Sequence, residues 1–390
     1  MENKGKKEKK KKLRILHMPG GVGIYQPYLL TRGLRLIGHK ADYLTYYIPE
    51  SAAWLMQGPP DFNLNLRATR YNFFDILLNV VKIITFFIWS LFNYDVFHFH
   101  SGLTFTPQRG FLKKYFLYFD VRILKLLRKK VVFQWWGCAI RLKQIDEKYQ
   151  FSCCHTCTLQ RQSFGDGRED CAEEFKRKMA TLAQKLGDLN LTVGDLLVMF
   201  PYMKPLNNAV NTDLWKPLPF EEIPDKFKLP KTNNLRIYHS YGNSEIRGGD
   251  AKGSSFIKRA VDELQKEGYK IELMVFDKVP NLDVRYYQMQ ADICVDQLRA
   301  GCYGSNTVEC MAVGKPVVVY MRDDVLKISP ANLPIVNANP NNIKEVLRSL
   351  IENKELRKKI GRQSREFAVK EHDFRVVAKK LEEYYYSLYE

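Results

Sequence analysis

The sequence predicts an α/β protein with two domains, each formed by a parallel β-sheet between helices. Its 390 residues exceed what one ordinary core requires, so two domains of about 150–200 residues each are expected. Short apolar runs recur along the chain, and each is followed by a glycine-containing turn and a helical pattern, which is the order of βαβ units. A proline-rich passage near the middle separates two such series.

These features divide the chain into five segments. The first twelve residues carry a run of lysines and are expected to form a disordered arm. A passage rich in asparagine and proline precedes the second domain, and a helix rich in tyrosine follows it. The predicted boundaries are 1–12 for the basic arm, 13–205 for the first domain with a cysteine-containing insertion at about 142–171, 206–233 for the linker, 234–372 for the second domain and 373–390 for the last helix.

The net charge of +18 is large, and a basic surface of this kind suits an anionic membrane or a nucleic acid. No nucleic-acid recognition motif accompanies the charge, so no nucleic-acid partner is expected. No apolar segment of a signal peptide follows the basic arm, and eight cysteines without a secretory leader favour a reduced setting. We therefore expect a cytoplasmic protein, with peripheral contact to the inner face of the membrane as a further hypothesis.

Phe73–Phe92 is the only stretch whose composition suggests a membrane segment. It contains Asp75, Asn79 and Lys82, whereas a transmembrane helix has about twenty nearly uninterrupted apolar residues. We interpret it as an amphipathic or buried helix. An interfacial membrane contact is the alternative.

The most informative stretch is Ala291–Val319. It predicts a strand at Ile293–Val295, a glycine turn that ends at Gly304, a helix with Glu309 on its second turn, and a second strand from Val317. The first backbone N–H groups of such a helix have no partner within the helix, and the helix dipole favours negative charge there. In open parallel sheets, ligands bind at this edge. An ordinary structural turn is the alternative.

A second polar loop precedes the helix Ser254–Lys266. Within it, Arg247 and Lys252 have the spacing R-x4-K, and both lie beside glycines. Two cations at the start of a helix suit a diphosphate, and a solvated basic loop is the alternative. A carboxylate such as Glu309 suits the hydroxyls of a ribose.

The first domain offers a glycine turn of its own, at Gly20, Gly21 and Gly23, after a strand that ends at Met18. Glycines let the backbone approach a ligand closely. The full fingerprint G-x-G-x-x-G is missing because Gln26 stands three residues after Gly23, which argues against a nicotinamide cofactor.

Further polar and aromatic residues follow two later strands of this domain. His98 and His100 share one face of the strand Asp95–His100. We expect one of them to line the cleft, and a metal pair is less favoured because no third ligand follows nearby. Trp136 lies in the turn after the strand Lys130–Gln134.

The insertion in the first domain contains a cysteine cluster. Cys154 and Cys157 form a C-x-x-C pair, Cys153 is adjacent, and Cys171 follows a glycine turn. Cys154, Cys157 and Cys171, with either Cys153 or His155 as the fourth ligand, suit a structural zinc. An iron–sulfur cluster and free cysteines are the alternatives, and we assign none of them a catalytic role.

Taken together, these motifs resemble those of retaining, family-four-like glycosyltransferases of the glycosyltransferase-B fold, the glycosyl transferases group 1. The resemblance extends from about Leu13 to the C-terminus. The resemblance rests on the first glycine turn, the Asp95–His100 strand, the linker motif at 208–215 and the R-x4-K pair. Its most specific part is the stretch 303–318, with Glu309 and Gly314-Lys315-Pro316. The turn WWGCAIR at 135–141, followed by cysteines, is similar to a bacterial subgroup.

The resemblance implies two Rossmann-like domains that face each other across a cleft, with the last helix crossing back to the first domain. The second domain would bind the nucleotide-sugar donor. Arg247 and Lys252 would neutralise the departing diphosphate, and the other donor-binding residues would be Gly304, Ser305, Asn306, Thr307 and Glu309. The first domain would receive a glycan or lipid-linked acceptor at Gly20, Gly21, Gly23, His100 and Trp136. The family transfers hexoses with retention and needs no metal for catalysis, and many members act in polysaccharide biosynthesis.

One departure concerns the paired acidic motif E-x7-E of these enzymes, whose first glutamate contacts the donor sugar. That position is Gly301 here. A non-catalytic sugar-nucleotide-binding paralogue is therefore an alternative function, and a nucleotide-sugar epimerase, which would form product without an acceptor, is another.

Overall fold

The computed structural model describes residues 11–18, 25–48, 56–66, 73–106, 116–157, 173–242 and 250–390. Within them lie two parallel β-sheets. The strands of the first sheet are β1 (Arg14–Met18), β2 (Lys40–Thr45), β3 (Phe62–Asn63), β4 (Val96–His100), β5 (Lys130–Gln134), β6 (Leu189–Thr192) and β7 (Lys204–Pro205). Those of the second are β8 (Leu235–Gly242), β9 (Ile271–Asp277), β10 (Ile293–Val295), β11 (Val317–Val319) and β12 (Ile335–Asn337).

Helices connect the strands on both faces of each sheet. The helices of the first domain are α1 (Gln26–Leu36), α2 (Phe73–Asn93), α3 (Phe119–Leu126), α4 (Lys143–Asp146), α5 (Glu173–Leu186) and α6 (Asp195–Met199). Those after β8 are α7 (Ser254–Lys266), α8 (Asn281–Met289), α9 (Ser305–Ala312), α10 (Asp323–Leu326), α11 (Ile343–Glu352), α12 (Lys354–Phe367) and α13 (Phe374–Tyr386). A π-helical turn at Ala368–His372 joins the last two.

The strand order is β3-β2-β1-β4-β5-β6-β7 in the first sheet and β12-β11-β10-β8-β9 in the second. Every described strand pair is parallel. The carboxyl ends of all strands in a parallel sheet lie at one edge, where the following loops meet. Two Rossmann-like domains are thus present, and the fold class predicted from the sequence is confirmed.

The first domain has a core on each face of its sheet. On one face, α2, α3 and α5 pack over β4 and β5 around Phe97, Phe133 and Trp135. On the other face, α1 packs against the last helix of the chain, α13. The contact between these two helices is close, because a Cβ atom added to Gly33 would lie 2.5 Å from the Ala378 Cβ. The last helix thereby completes the first domain.

The segment predicted as a linker packs largely on the second domain. Val210 and Trp215 are fully buried in the core around β10 and α9. Arg365 holds this segment from α12 by donating a 2.7 Å hydrogen bond to the Trp215 carbonyl. The Val210 N–H donates to the His372 carbonyl at 2.8 Å, so the passage into the second domain and the passage out of it run side by side.

The helix predicted at Phe73–Phe92 forms, and it ends at Asn93. The expectation that it is a buried helix is wrong. Ser90 is its only buried residue, and Phe73, Phe74 and Phe92 are 71%, 76% and 75% exposed. Among the described residues it is also the one helix long and apolar enough to cross a membrane, by length and composition.

Candidate functional site

Two helices of the second domain begin side by side at the carboxyl edge of the sheet. Strands β8 and β10 are neighbours, and α7 and α9 follow the loops at their carboxyl ends. At the start of α9, Gly304 is extended and has no side chain that could cap the helix. The N–H groups of Ser305, Asn306 and Thr307 therefore suit an anion bound at this helix end.

Lys252 reaches this helix end through one carboxylate. Its Nζ donates a 3.0 Å hydrogen bond to Asp296 Oδ1, and the Thr307 hydroxyl donates to Asp296 Oδ2 at 2.7 Å. Burial alone would raise the pKa of Asp296, but the Lys252 charge and these hydrogen bonds hold it below its ordinary value. The predicted diphosphate cation is thus fixed beside α9 by an ion pair, with only 10% of its side chain exposed.

Glu309 lies one turn further along α9, buried among hydrogen-bond donors. Asn281 Nδ2 donates to its Oε1 at 3.0 Å, and Gln288 Nε2 lies 3.5 Å from its Oε2. A third donor comes from the first domain, because Tyr25 at the start of α1 donates a 2.6 Å hydrogen bond to Oε1. Burial raises the pKa of Glu309, against the effect of these hydrogen bonds. The predicted ribose ligand is thus already paired with a tyrosine across the domain boundary.

The departure at Gly301 has a structural cause. Gly301 has φ +70°, and a Cβ atom there would overlap the Cγ and Cδ atoms of Arg322. The arginine follows β11 and crosses to the first domain, where its guanidinium lies 3.7 Å above the Tyr149 ring and 3.5 Å from Asp146 Oδ1. A glutamate side chain at position 301 is therefore incompatible with this backbone and with Arg322.

Further contacts join the two domains around the same edge. Gln57 donates to Asn281 at 2.7 Å, and Tyr149 donates to Asp324 at 2.7 Å. The Cys302 thiol donates to Asp195 at 3.2 Å, in a cluster where Arg141 makes a bidentate ion pair with the same carboxylate. The structure therefore shows the two carboxyl edges in contact.

Three histidines of the first domain come together at its carboxyl edge. His17 of β1 pairs in register with His98 of β4, and His100 follows on the same face. All three are fully buried, and burial lowers their pKa values, that of His17 to about 3. Their ring nitrogens lie within 4.8 Å of one another, so they are a candidate metal cluster. The third histidine, His17, lies on the neighbouring strand β1, and the sequence did not suggest it as a ligand.

Hydrogen bonds link two of these rings to Trp136. Trp136 Nε1, which can only donate, lies 3.3 Å from His100 Nδ1, so that nitrogen accepts. His100 Nε2 then carries the proton and donates to His17 Nδ1 at 3.1 Å. The two predicted acceptor residues, His100 and Trp136, are thus in direct contact. The other nitrogen of His17 is buried without a hydrogen-bond partner among the described residues.

The cysteine insertion lies beside the domain boundary. Cys153 and Cys154 bring their sulfur atoms together with the Asp146 carboxylate, and these form a group that could hold a metal ion. A hydrogen bond with Cys154 and the Arg141 charge lower the pKa of the Cys153 thiol to about 7, which favours the thiolate that binds metal. Cys157 is described but lies outside this group.

Several predicted site residues lie outside the described part of the chain. They are Arg247, Gly20, Gly21, Gly23 and Cys171. Their predicted roles stay predictions.

Comparison with known proteins agrees with this architecture. Residues 249–367, which contain Lys252, Glu309 and the whole β10–α9–β11 unit, match the family model of glycosyl transferases group 1. No curated protein matches the chain in sequence. Among solved structures, sucrose-phosphate synthase from Thermosynechococcus elongatus has a TM-score of 0.61 at 12% identity, covering 97% of this chain and 99% of its own. The chain has the glycosyltransferase-B fold.

Two further structures with this fold were solved with nucleotides. Anabaena HepE in complex with UDP and glucose has a TM-score of 0.60 at 12% identity and covers 96% of this chain and 100% of its own. The catalytic domain of starch synthase IV from Arabidopsis thaliana, bound to ADP and acarbose, has a TM-score of 0.58 at 12% identity and covers 97% and 99%.

Within the glycosyltransferase-B fold, sequence reasoning missed the residues that pair with its candidates. Tyr25, Asn281 and Asp296 all contact a predicted donor residue. Asp296 could have been found, because it directly follows β10 at the predicted ligand edge. His17 also could have been found from the expectation that the strands β1 and β4 are neighbours. Nothing local indicates the Tyr25–Glu309 pair, whose members stand 284 positions apart.

Proposed function

We propose that the protein is a glycosyltransferase that moves a sugar from a nucleotide-sugar donor to a glycan or lipid-linked acceptor. One observation carries the proposal. Lys252, the open amino end of α9 and the Glu309 carboxylate converge at one edge of the second sheet. They supply a cation and N–H donors for the diphosphate and a carboxylate for the ribose hydroxyls. This combination suits a nucleoside diphosphate. They lie within the segment that matches the family model.

The chemistry we propose is stabilisation of the leaving group. The bond between the anomeric carbon and the diphosphate oxygen breaks, a bond from that carbon to the acceptor oxygen forms, and negative charge develops on the diphosphate, which takes up the proton of the acceptor hydroxyl. Lys252, together with Arg247, would stabilise that charge, and the N–H groups of Ser305 and Asn306 would hold the phosphate. Because these groups supply the positive charge, no metal takes part in the proposed reaction, and we propose a hexosyl transfer with retention, of the family-four kind.

We propose that the acceptor binds to the first domain. His100 ends β4 and Trp136 follows β5 at the carboxyl edge of the sheet, and Gly20, Gly21 and Gly23 come after β1 in the sequence. Burial keeps the histidines neutral at physiological pH, so we propose that they position Trp136 beside the acceptor, through the hydrogen bond to His100, and do not take up its proton. A role in polysaccharide biosynthesis, at a cytoplasmic location peripheral to the inner face of the membrane, is part of the proposal.

The known structures with this fold support donor binding. HepE was solved with UDP and glucose, and starch synthase IV with ADP and acarbose. We propose the same class of ligand here, and we propose no particular base or sugar.

We further propose a structural zinc on Cys153, Cys154, Cys157 and Cys171. The convergence of the first two sulfurs and the low pKa of Cys153 support it. Elemental analysis of protein purified without added metal should find about one zinc per chain, and a Cys154→Ser/Cys157→Ser variant should bind far less. Metal-free protein with an unchanged melting temperature after chelation would contradict a zinc site.

The experiment that tests the transferase is a thermal-shift screen against nucleotide sugars, followed by product analysis. A ligand that binds only the native state raises the melting temperature. We expect one donor class to give a shift that Lys252→Met and Arg247→Ala abolish, and a labelled sugar to move to an acceptor glycan or lipid. A shift without transfer to any acceptor would favour the non-catalytic paralogue. No shift with any donor would refute donor binding.

A further inference from the structure

The helix α2 has its polarity reversed with respect to an ordinary surface helix. Four of its polar residues, Asp75, Asn79, Lys82 and Ser90, fall on one stripe and are half-buried or buried, whereas Thr85 is exposed. In ordinary surface helices such a stripe faces water and the apolar residues face the core. The reversed arrangement indicates that the outer side of α2 is adapted to an apolar surrounding.

The inward stripe is held by specific contacts. Lys82 Nζ donates to the carbonyls of Leu64 and Asn65, at 3.1 and 3.3 Å. The Ser90 hydroxyl donates to the Phe87 carbonyl at 2.6 Å. Phe86 and Phe87 pack on Phe105 in the core of the first domain. The helix is therefore anchored to its domain along this stripe, and its orientation is set by the fold.

The outward face is apolar along its length except for the exposed Thr85. Its large side chains include Phe73, Leu77, Val81, Ile84, Ile88 and Phe92, which are between 49% and 75% exposed. A helix of 21 residues is about 30 Å long. Monomeric proteins rarely expose a contiguous apolar patch of this extent, and larger patches mark an interaction site.

The neighbouring helix α3 indicates that the partner is anionic. It lies on the same side of the sheet as α2, and both contact Phe105, whose N–H donates to Asp120 of α3 at 2.7 Å. Phe119, Arg122 and Leu126 share the outward face of α3, and the two apolar members are 49% and 83% exposed. Exposed apolar residues mixed with arginine are typical of helices that lie at the surface of an anionic bilayer.

The local charge is one-sided. From Phe116 to Lys130 the sequence contains five basic residues and a single acidic one, the buried Asp120. Lys125 is paired with Asp188, and Arg122 and Arg128 are exposed. A second copy of this basic surface would face like charge, whereas acidic lipid would complement it.

We propose that the α2–α3 face, defined as the outward sides of Phe73–Asn93 and Phe119–Leu126, binds an anionic lipid bilayer. The domain lies on the membrane with the apolar side of α2 inserted among the acyl chains, and it does not span the bilayer, because the inward stripe of α2 stays bound to the protein core. The basic residues of α3 and of the turn after it contact the lipid headgroups.

This orientation has a consequence for the acceptor, and that consequence rests on the proposed function. Strand β3 ends at the carboxyl edge of the first sheet and α2 begins ten residues later, so Phe73 and Phe74 lie toward the edge that holds His100 and Trp136. The bilayer therefore borders the acceptor side of the cleft. The structure thus points to an acceptor carried by a membrane lipid.

The test is sedimentation of the full chain with two kinds of vesicle. One consists of phosphatidylcholine alone, and the other also contains about 30% phosphatidylglycerol. We expect binding to the anionic vesicles, weakened at least about tenfold by Val81→Glu/Ile88→Glu and made less dependent on the anionic lipid by Arg122→Gln/Arg128→Gln. The matched control is Leu36→Glu, since Leu36 is 62% exposed on α1 of the same domain. It should bind like the wild type.

A second readout does not depend on the affinity. Trp89 on α2 is 40% exposed, so lipids brominated in their acyl chains should quench its fluorescence, and Trp89→Phe should remove that component. Equal binding of wild type and Val81→Glu/Ile88→Glu, or no sedimentation with either vesicle, would overturn the proposal. A concentration-dependent dimer that this double variant abolishes, without vesicle binding, would assign the face to a second copy and overturn it too.

The two proposals fail separately. Val81→Glu/Ile88→Glu lies far from the donor site and should keep the donor-induced thermal shift and the melting temperature. If that shift persists and vesicles are not bound, the membrane proposal fails alone. If vesicles are bound and no nucleotide sugar shifts the melting temperature, the transferase proposal fails alone.

Discussion

Tyr25 of the first domain donates a 2.6 Å hydrogen bond to Glu309 of the second. The oxygen that accepts it also accepts from Asn281 at 3.0 Å, so it has no further capacity for a ribose hydroxyl in this arrangement. The tyrosine therefore occupies one oxygen of the group that we assign to the donor. We predict that a donor that binds this oxygen competes with the contact between the domains.

The first prediction concerns this competition. Tyr25→Phe removes one hydrogen bond to a buried carboxylate, worth about 1 kcal/mol, and with it the competitor of the donor. We expect a nucleoside diphosphate to bind about fivefold more tightly, measured by titration calorimetry. Tyr384→Phe is the control, because its hydroxyl bonds the Pro205 carbonyl away from the cleft. Weaker binding to Tyr25→Phe would instead make the tyrosine a donor ligand.

The second prediction concerns Lys252. Lys252→Met should lower kcat by about a hundredfold or more, because the positive charge beside the leaving group is lost. It also leaves Asp296 buried without its cation, so the variant should be less stable. Lys252→Met/Asp296→Asn separates the two effects, since it should regain stability and remain inactive. Lys258→Met, on the exposed side of α7, the helix that follows Lys252, should be fully active. Activity in the double variant would remove Lys252 from the proposed reaction.

The third prediction concerns Gly301 and Arg322. Gly301→Ala should lower the free energy of unfolding by about 3 kcal/mol, because its positive φ strains any side chain and its Cβ would overlap Arg322. Gly268→Ala is the matched control, since Gly268 has φ +97° and open space around a Cβ, so only the backbone strain of about 1 kcal/mol applies. Denaturant unfolding measures both. An equal loss of unfolding free energy in the two variants would show that the Arg322 side chain moves aside for the added methyl group.

The fourth prediction concerns acid. Burial lowers the pKa of His17 to about 3 and those of His239 and His372 to about 4, from an ordinary value of 6.5. Below pH 6.5 the unfolded chain therefore binds protons that the folded chain does not. Stability should be complete above pH 6.5 and fall as the pH decreases toward 4, by about 1.4 kcal/mol per pH unit for each histidine.

Denaturant titrations at pH 7.5, 6.0 and 5.0 measure this slope. His239→Gln removes one titrating group and should give a shallower dependence, although its absolute stability is lower. A free energy of unfolding that stays constant from pH 7.5 to 5.0 would show that these histidines titrate normally in the folded protein.

Much of the fold could be predicted because its signals are local. The β10–α9–β11 unit follows from apolar runs, a glycine turn and a stop at Gly314, all within thirty residues. The helix at Ser254–Lys266 was predicted with its observed bounds. By contrast, the stretch Arg109–Arg128 is rich in aromatic residues and lysine, and this composition predicts a helix over its whole length. The structure has a helix at Phe119–Leu126, after Tyr118 with φ 59°, and residues 107–115 lie outside the described part.

The orientation of α2 could not be predicted. Asp75, Asn79, Lys82 and Ser90 mark one stripe of the helix in the sequence, but the periodicity does not tell which side faces the protein. The usual rule puts the apolar side inward, and that rule led to the wrong expectation. In the structure, Lys82 sets the orientation of the helix by donating hydrogen bonds to the carbonyls of Leu64 and Asn65, which lie 18 and 17 positions earlier in the chain.

The details of the candidate site depend on long-range pairs. Glu309 was identified from its place in the helix, but its partner Tyr25 belongs to the other domain. Gly301 was recognised as a departure, and its cause, the Arg322 side chain, lies on the far side of the next strand. Such pairs are set by the docking of two sheets, which no local pattern in the chain records.

The close packing of α13 on α1 also sets an order of events during synthesis. Residues 374–386 supply Phe374, Val377 and Tyr385 to the core over α1, and the Tyr385 hydroxyl bonds His98 in the centre of the first sheet at 2.6 Å. The domain that leaves the ribosome first therefore remains incomplete until residue 386 has been made. Its apolar helix face stays open while the whole second domain is translated and folds. During that interval the nascent chain depends on chaperones, or on an early contact with lipid, to keep this face from aggregating.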